Sequence, residues 1–308
     1  MCLVCAFPLA LPRSAAPGER SRVFPLVAPA LVGPDGRGMG GTLTWTGVAG
    51  FVLDIAGARI AFDPFVTRPG LFATLAKAAR PDPAAVARHF ADLDAVFVGH
   101  THFDHAMDLP AVAVASPRAT IHGSATTAET CRRLGVDPAR LVAVRDAERF
   151  RVGPFTVEAV RIEHGVVPIV RHLDRLDLPA EGVPRTPFRW PRGEVFAWRV
   201  EALGRTLYVQ GSAGLADLPL ARQGPVDVLI ACLAARAGTP RYLERLGERL
   251  RPSFLLPCHH DDFFRPLSEA PRPIATLDWP GFLAEAEALG RAHGTQVALP
   301  PRLVPMSV

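Results

Sequence analysis

"GHTHFDHAMD", residues 99–108, sets three histidines and two aspartates within ten positions of a chain that has ten histidines in 308 residues. The residues just before it, "AVFV" (95–98), form a short apolar run of the kind a buried strand shows. The reading therefore begins with a strand over 94–100 that ends in a polar loop. In extended backbone His100 and His102 face the same side, and Asp104 and His105 follow as the chain turns. Imidazole and carboxylate donors converging in this way suit a divalent metal: Zn2+ first, one or two ions, with Mn2+ or Fe also compatible. A solvent-exposed His-rich loop is the plainer alternative, and the HxHxDH spacing at a strand end weighs against it. A metal with an open position lowers the pKa of its bound water to ~7, so hydroxide is available at neutral pH.

Two distant histidines repeat the placement. His164 ends the alternating segment "VEAVRIEH", and His259 ends "FLLPCH". Three strands that finish in histidine point to one sheet edge where ligands gather. His122 ends a strand as well, but its context, "IHGS", reads as easily as structural. His89 and His293 fall on expected helices, and His172 lies in a loop with a possible substrate contact.

Outward from these points, "TLTWTGVAGFVLDIAGARIAFDPF" (42–65) alternates and is β-branched, with turn residues at Gly47 and Ala56–Gly57, and reads as consecutive antiparallel strands. Helices are expected over 82–93, at "TTAETCRRLG", at "TPRYLERLGERLRP" and at "PGFLAEAEALGRAHG". Strands are expected at "ATIHG", near 141–145, over 155–162, at "VDVLIACL" and at "SFLLPC". The hairpin "VFAWRVEALGRTLYVQGSAG" (195–214) echoes residues 50–65: strand, turn with Gly and Arg, strand, polar loop. Strands followed by helices in two related halves predict a layered α/β architecture. Residues 1–40 read as an irregular arm. They carry no basic stretch ahead of the apolar run, as a secretory signal would. Residues 41–308 read as a single domain, with a long loop over 165–194.

Composition narrows the function classes. The net charge is +4, and arginine far outnumbers lysine without forming runs. That is a mildly basic surface, favourable to small anionic substrates; no nucleic acid is expected as a partner, so a nuclease is the weaker alternative. The five cysteines (2, 5, 131, 232, 258) are irregularly spaced, which predicts reduced thiols and a cytoplasmic setting rather than a disulfide framework. Cys258 should pack in the core. No apolar run reaches the ~20 residues of a transmembrane helix.

His100-Thr101-His102-Phe103-Asp104-His105 resembles the signature of the metallo-β-lactamase fold superfamily. "FDP" (62–64), His164, "YVQGSAG" and "LPCHHDDF" occur in that superfamily's order. The likeness is to the branch of ascorbate-6-phosphate lactonase-like and N-acyl-phosphatidylethanolamine phospholipase D-like proteins. The resemblance implies an α/β fold, a four-layer αββα sandwich with the site at one edge of two sheets. It implies one metal on His100, His102 and His164 and a second on Asp104, His105 and His259. It also implies that Asp63 braces the ligands, with His260 and Asp261 close around them.

The chain departs from the family where an aspartate usually bridges both metals: the matching residues are Gly211-Ser212-Ala213-Gly214. A neutral Ser212 leaves the centre one unit more positive. One metal only, two metals joined by hydroxide or a substrate oxygen, or a lost activity would each follow. Asp217, Asp261 or Asp262 could supply a substitute carboxylate, although capping or ion pairing is the plainer role for the last two. Asp104 and Ser212 are the candidate catalytic side chains, and Arg68, Arg171 and Arg185 the candidate anion contacts, although a surface charge is the plainer role for each arginine. The expected function is a metal-dependent hydrolase of an anionic ester, phosphodiester or lactone. The alternative is a non-catalytic metal-binding or sensing protein of the same fold.

Overall fold

The computed structural model describes residues 31, 38–76, 80–166, 177–184 and 186–308. Among the described residues, fourteen strands form two seven-stranded sheets. The first contains β1 (Gly41–Gly47), β2 (Gly50–Ile55), β3 (Ala58–Phe62), β4 (Ala95–Phe97), β5 (Thr120–Gly123), β6 (Leu141–Ala143) and β14 (Pro305–Ser307), in the order β14-β1-β2-β3-β4-β5-β6. The second contains β7 (Arg149–Val152), β8 (Phe155–Ile162), β9 (Val195–Ala202), β10 (Arg205–Gln210), β11 (Val228–Cys232), β12 (Phe254–Cys258) and β13 (Gln296–Val297), in the order β13-β12-β11-β10-β9-β8-β7.

The echo read in the sequence is a topological repeat. In the first sheet β1, β2 and β3 are antiparallel neighbours, and β4, β5 and β6 continue in parallel from β3. In the second sheet β8, β9 and β10 are antiparallel, and β11, β12 and β13 continue in parallel from β10. The carboxyl ends of β8, β10, β11 and β12 therefore share one edge, as do those of β3, β4 and β5. Ligand sites in α/β sheets form at such edges.

Alternation decides which face each residue serves. Phe51, Leu53, Ile60, Phe62, Ala95 and Phe97 join a core shared with Val157, Trp198, Leu207 and Val209 of the opposite sheet. The Phe97 and Trp198 rings meet across it at 5.1 Å. Val52, Ala61, Val96 and Val98, one residue out of phase, pack instead with Val86 and Phe90 of helix Pro83–Phe90, with Leu109 and Val112, and with Cys131 of helix Ala125–Arg133. On the far side, Tyr242, Leu243, Leu246 and Leu250 of helix Tyr242–Leu250, and Trp279, Phe282, Ala286 and Leu289 of helix Trp279–His293, belong to the core that includes the second sheet. The sandwich is α/β with sheets inside and helices outside. Caps fix helix starts where the sequence places them: Asp82 accepts from the Ala84 and Ala85 amides, and Ser124 from that of Thr127.

Several elements differ from expectation. The strand expected over 94–100 is only Ala95–Phe97, because the residues after it turn toward the site. Helices Gly70–Ala76, Phe103–Ala106 and Leu109–Ala115 and strands β7, β13 and β14 have no clear period in the sequence, being too short to show one. Within 165–194 the described residues hold one short 3-10 turn, Pro187–Arg189. The arm residues 1–30 and 32–37, with Cys2 and Cys5, and also Arg171, His172 and Arg185, lie outside the described residues.

Asp108, the last residue of the opening motif, is fully buried and accepts from the Val66 and Thr67 amides at 2.7 and 2.8 Å. It thereby ties the loop after β3 to the motif. Burial outweighs these hydrogen bonds and pushes its carboxyl up to about 6. A folded-state pKa above the unfolded value means the native state binds the extra proton. Stability linked to Asp108 is thus complete below the unfolded pKa near 4 and falls as pH rises to about 6. Thermal unfolding of Asp108→Asn and wild type between pH 4 and 7 should show this directly. Wild type gains on the variant toward the acid end by a few degrees, at ~2–4 °C per kcal/mol for a chain of this size class.

Candidate metal centre

The site is built outward from Asp63. The chain leaves β3 at Phe62 and enters the left-handed region at Asp63 (φ +42°), which Asp tolerates better than most residues. This turn aims the carboxylate inward. Oδ1 accepts from the Gly99 amide at 2.6 Å, and Oδ2 lies 3.2 Å from His105 Nδ1. A Cβ at Gly211 would collide with the same carboxylate, so glycine there is what lets the second sheet approach it. With Nδ1 turned toward Asp63, the Nε2 of His105 is left to face the cleft, the arrangement by which a carboxylate orients a ligand imidazole.

The opening motif is pinned from across the sandwich. The Phe196 amide donates to Gly99 O at 2.8 Å, and the Thr101 amide to Arg192 O at 2.8 Å. The Thr101 hydroxyl lies 2.8 Å from that of Thr127. Thr101 thus points into structure while His100 and His102 point together, and His100 Nε2 lies 3.0 Å from His102 Nδ1. The His164 ring stands 4.8 Å from each of theirs. His102 precedes the helical turn Phe103–Ala106, which presents Asp104 and His105 in succession. Asp104 Oδ2 lies 3.2 Å from His259 Nε2 and 3.9 Å from His105 Nε2.

The six ligand candidates thus form two groups, His100–His102–His164 and Asp104–His105–His259, and within each group the possible donor atoms lie within 4.8 Å of one another. The groups adjoin, with the His100 and His105 rings 3.9 Å apart. All six line one cleft of ≈ 280 Å³, counting space open to solvent, together with Gly165, Gly211, Ser212, Cys232, Ala234 and Ala235.

The electrostatics suit a cation. Burial, reinforced by the neighbouring imidazoles, drives His100 and His102 well below the ordinary histidine range, so both are neutral donors. Burial would raise Asp104, but His105 and His259 outweigh it and hold the carboxyl well below its usual range. Burial would lower His105, and the Asp63 and Asp104 carboxylates reverse that and raise it. Asp104 Oδ1 and His100 Nδ1 are buried without a hydrogen-bond partner, a costly state for lone polar atoms. Inward-facing imidazoles, one carboxylate and an orphaned carboxylate oxygen are together a donor set that fits a divalent metal.

Ser212 sits in the cleft as expected, and its Oγ accepts from the Gly165 amide at 3.2 Å. The glycines beside it have a packing reason: a Cβ at Gly214 would strike the Glu163 carbonyl just before His164.

Other expectations need correction. Arg68 is not an anion contact. Its side chain is 1% exposed and its Nη2 lies 2.8 Å from Asp261 Oδ2. Asp261 takes the plainer of its two expected roles, ion pairing: it is committed to Arg68, with Arg302 at 3.6 Å, and to the Val48 amide at 2.8 Å. It still supports the centre, because Val48 O accepts from the His259 amide at 2.7 Å. Asp262 caps the Phe264 amide, and Asp217 pairs with Arg245 on the surface. Neither lines the cleft. His260 stacks on Trp45 at 4.7 Å, filling an aromatic position away from the donors. His122 bonds Thr120 and stacks on Phe97, a structural role. Cys258 is core, as expected. Cys232 in the cleft wall was missed; the repeat offers the signal, since β11 occupies in the second sheet the place β4 has in the first.

Comparison with known proteins gives the family and supports the fold. A family model described as a Beta-lactamase superfamily domain matches residues 58–247. A curated protein of Carboxydothermus hydrogenoformans, named a UPF0173 metal-dependent hydrolase, is 26% identical over 254 residues, covering 81% of this chain and 94% of its own. Among solved structures, Igni18, a metallo hydrolase from Ignicoccus hospitalis, is similar at a TM-score of 0.58 and 15% identity, covering 87% of this chain and 99% of its own. CmlA, a diiron beta-hydroxylase from Streptomyces venezuelae, is similar at a TM-score of 0.57 and 15% identity, covering 87% and 54%. An isothiocyanate hydrolase from Delia radicum gut bacteria is similar at a TM-score of 0.54 and 18% identity, covering 87% and 99%. Among the described residues no helix is long and apolar enough to cross a membrane.

Proposed function

This chain belongs to the beta-lactamase superfamily, and from that premise we propose that it is a metal-dependent hydrolase of small anionic substrates carrying an ester, phosphodiester or lactone bond. The observation that carries the reading is the convergence of five imidazoles and one carboxylate on a single cleft. His100, His102 and His164 would hold one ion and Asp104, His105 and His259 another: Zn2+ by donor type, with Mn2+ or iron compatible. A metal bound there supplies Lewis acidity and a nucleophile from water at neutral pH.

The chain's own residues do the rest. Asp63 orients His105. Asp104 contributes negative charge beside His259. Ser212 takes the Gly165 amide at Oγ, so its hydroxyl proton remains to donate to a substrate oxygen. The branch likeness to ascorbate-6-phosphate lactonase-like and N-acyl-phosphatidylethanolamine phospholipase D-like proteins favours a substrate with a phosphate group. The irregular spacing of the five cysteines is the ground for expecting reduced thiols and a cytoplasmic setting.

Stripped protein reloaded with Zn2+, Mn2+ or Fe2+ should turn over bis-p-nitrophenyl phosphate or simple lactones, and metal-free protein should not. Absence of turnover with every ester class after loading would favour the alternative that Ser212 motivates, a metal-binding or sensing protein without catalysis.

A further inference from the structure

The two halves of the centre are chemically unequal. The Asp104–His105–His259 half has a carboxylate among its donors and a second carboxylate, Asp63, against His105. The His100–His102–His164 half has imidazoles only. Among the described residues lining the cleft, Asp104 is the sole carboxylate. Ser212, which also lines it, is neutral and anchored through Oγ to the Gly165 amide. A Cβ at Gly211 would strike Asp63, and one at Gly214 the Glu163 carbonyl, so the backbone around Ser212 is closely packed. Two divalent ions would bring four positive charges to a site where Asp104 and Asp63 supply two negative ones. A surplus of two charges in a buried, low-dielectric cleft strongly opposes the second ion.

We infer that the halves load in sequence: the Asp104 half takes its ion alone, and the three-imidazole half fills together with an anionic oxygen ligand, of phosphoryl type, that supplies the charge Ser212 does not. This rests on the hydrolase reading and deepens it, since the coupled anion is the substrate's own charged group. The coupling is reciprocal: an anion that tightens the second ion is itself tightened by that ion by the same factor.

The test is a Mn2+ titration of stripped, full-length protein, followed by the electron paramagnetic resonance signal of free Mn2+, with and without millimolar inorganic phosphate. Mn2+ suits the test because a hard ion depends most on oxygen donors. Without phosphate one ion should bind tightly. With phosphate a second should bind, tightened about 5- to 150-fold, the usual range for coupled sites. Acetate in place of phosphate separates the two sources of anionic oxygen, and the two-charge surplus predicts the smaller effect for acetate. Ser212→Asp should take up two ions without phosphate and lose the phosphate effect. Ser212→Ala, which changes no charge and adds no bulk, should keep it.

Equal affinity for two ions without phosphate would overturn the inference. So would a second ion indifferent to phosphate, or a Ser212→Asp variant with wild-type phosphate dependence. If one ion binds, esters are hydrolysed and no second ion ever enters, only this inference fails. If no metal binds at all, the hydrolase reading fails with it.

Discussion

Replacing Asp261 with alanine should destabilise the protein by about 3–5 kcal/mol, the range for removing one partner of a buried ion pair. Asp261 is wholly buried, and Arg68 and Arg302 converge on its Oδ2 with side chains 1% and 5% exposed. Without the carboxylate, two guanidiniums remain in the interior and the Val48 amide loses its acceptor. At ~2–4 °C per kcal/mol for a chain of this size class, the fall in Tm is on the order of 10 °C. The loss should reach the metal centre as well, because Val48 O holds the His259 amide. Metal retention is therefore expected to drop in Asp261→Ala even below its melting temperature.

Asp261→Asn separates the two effects: it keeps an acceptor for Val48, spares the His259 turn and loses only the charge. Burial would raise the Asp261 carboxyl, but Arg68 outweighs it and holds it below the usual range. A depressed folded-state pKa gives stability that is present above the unfolded value near 4 and lost as pH falls below it. The gap between wild type and Asp261→Ala should accordingly be constant from neutral pH to about 5 and narrow only in stronger acid. A Tm within a degree of wild type for Asp261→Ala would mean that the arginines find other partners.

Which parts of this arrangement the sequence discloses follows from how local each signal is. The donor set was legible because His100 and His259 each follow an apolar run, His164 ends an alternating one and His102 shares the face of His100 two residues on, and a strand that ends in a donor carries its pattern within a few residues. The two-sheet layout was legible from the repeated hairpin. Asp63 was legible as a brace only through family likeness; its own surroundings, Phe-Asp-Pro, read equally well as a turn. Arg68 was misread, and the partner of Asp261 could not be named although ion pairing was its plainer role, for the opposite reason. They are 193 residues apart, each sits in a polar stretch next to the site, and nothing local says they neutralise one another inside the fold. The same holds for β14, whose three residues pair with β1 from the far end of the chain. Asp108 was visible in the opening motif but unassigned, since its partners are main-chain amides of Val66 and Thr67, and amides leave no trace in a side-chain pattern.

The largest functional loss should come from His100→Ala. His100 is the ring in contact with both halves of the centre, 4.7 Å from His102, 4.8 Å from His164 and 3.9 Å from His105. Its removal should cost on the order of 10³-fold in kcat/KM, beyond the ~10–100-fold typical when only a partner of a ligand is lost. Asp63→Asn provides that milder step. Asparagine tolerates the left-handed φ at position 63 and keeps an oxygen for the Gly99 amide, but it withdraws the charge facing His105.

Stability measurements distinguish these losses from general damage. A metal that binds only the native state raises Tm in proportion to the logarithm of its concentration over Kd. With phosphate present, so that both halves fill, wild type should therefore show a large metal-induced rise and both variants smaller ones, His100→Ala keeping only the part due to the Asp104 half. Metal-free His100→Ala should lie close to metal-free wild type, because the cavity left by the ring is offset by relief of a buried, unpartnered Nδ1 and of crowding among neighbouring imidazoles. If His100→Ala instead lowered the metal-free Tm as far as Asp261→Ala does, while the metal-induced rise in phosphate survived in full, the ring would be a packing element and the six-donor centre would have to be redrawn without it.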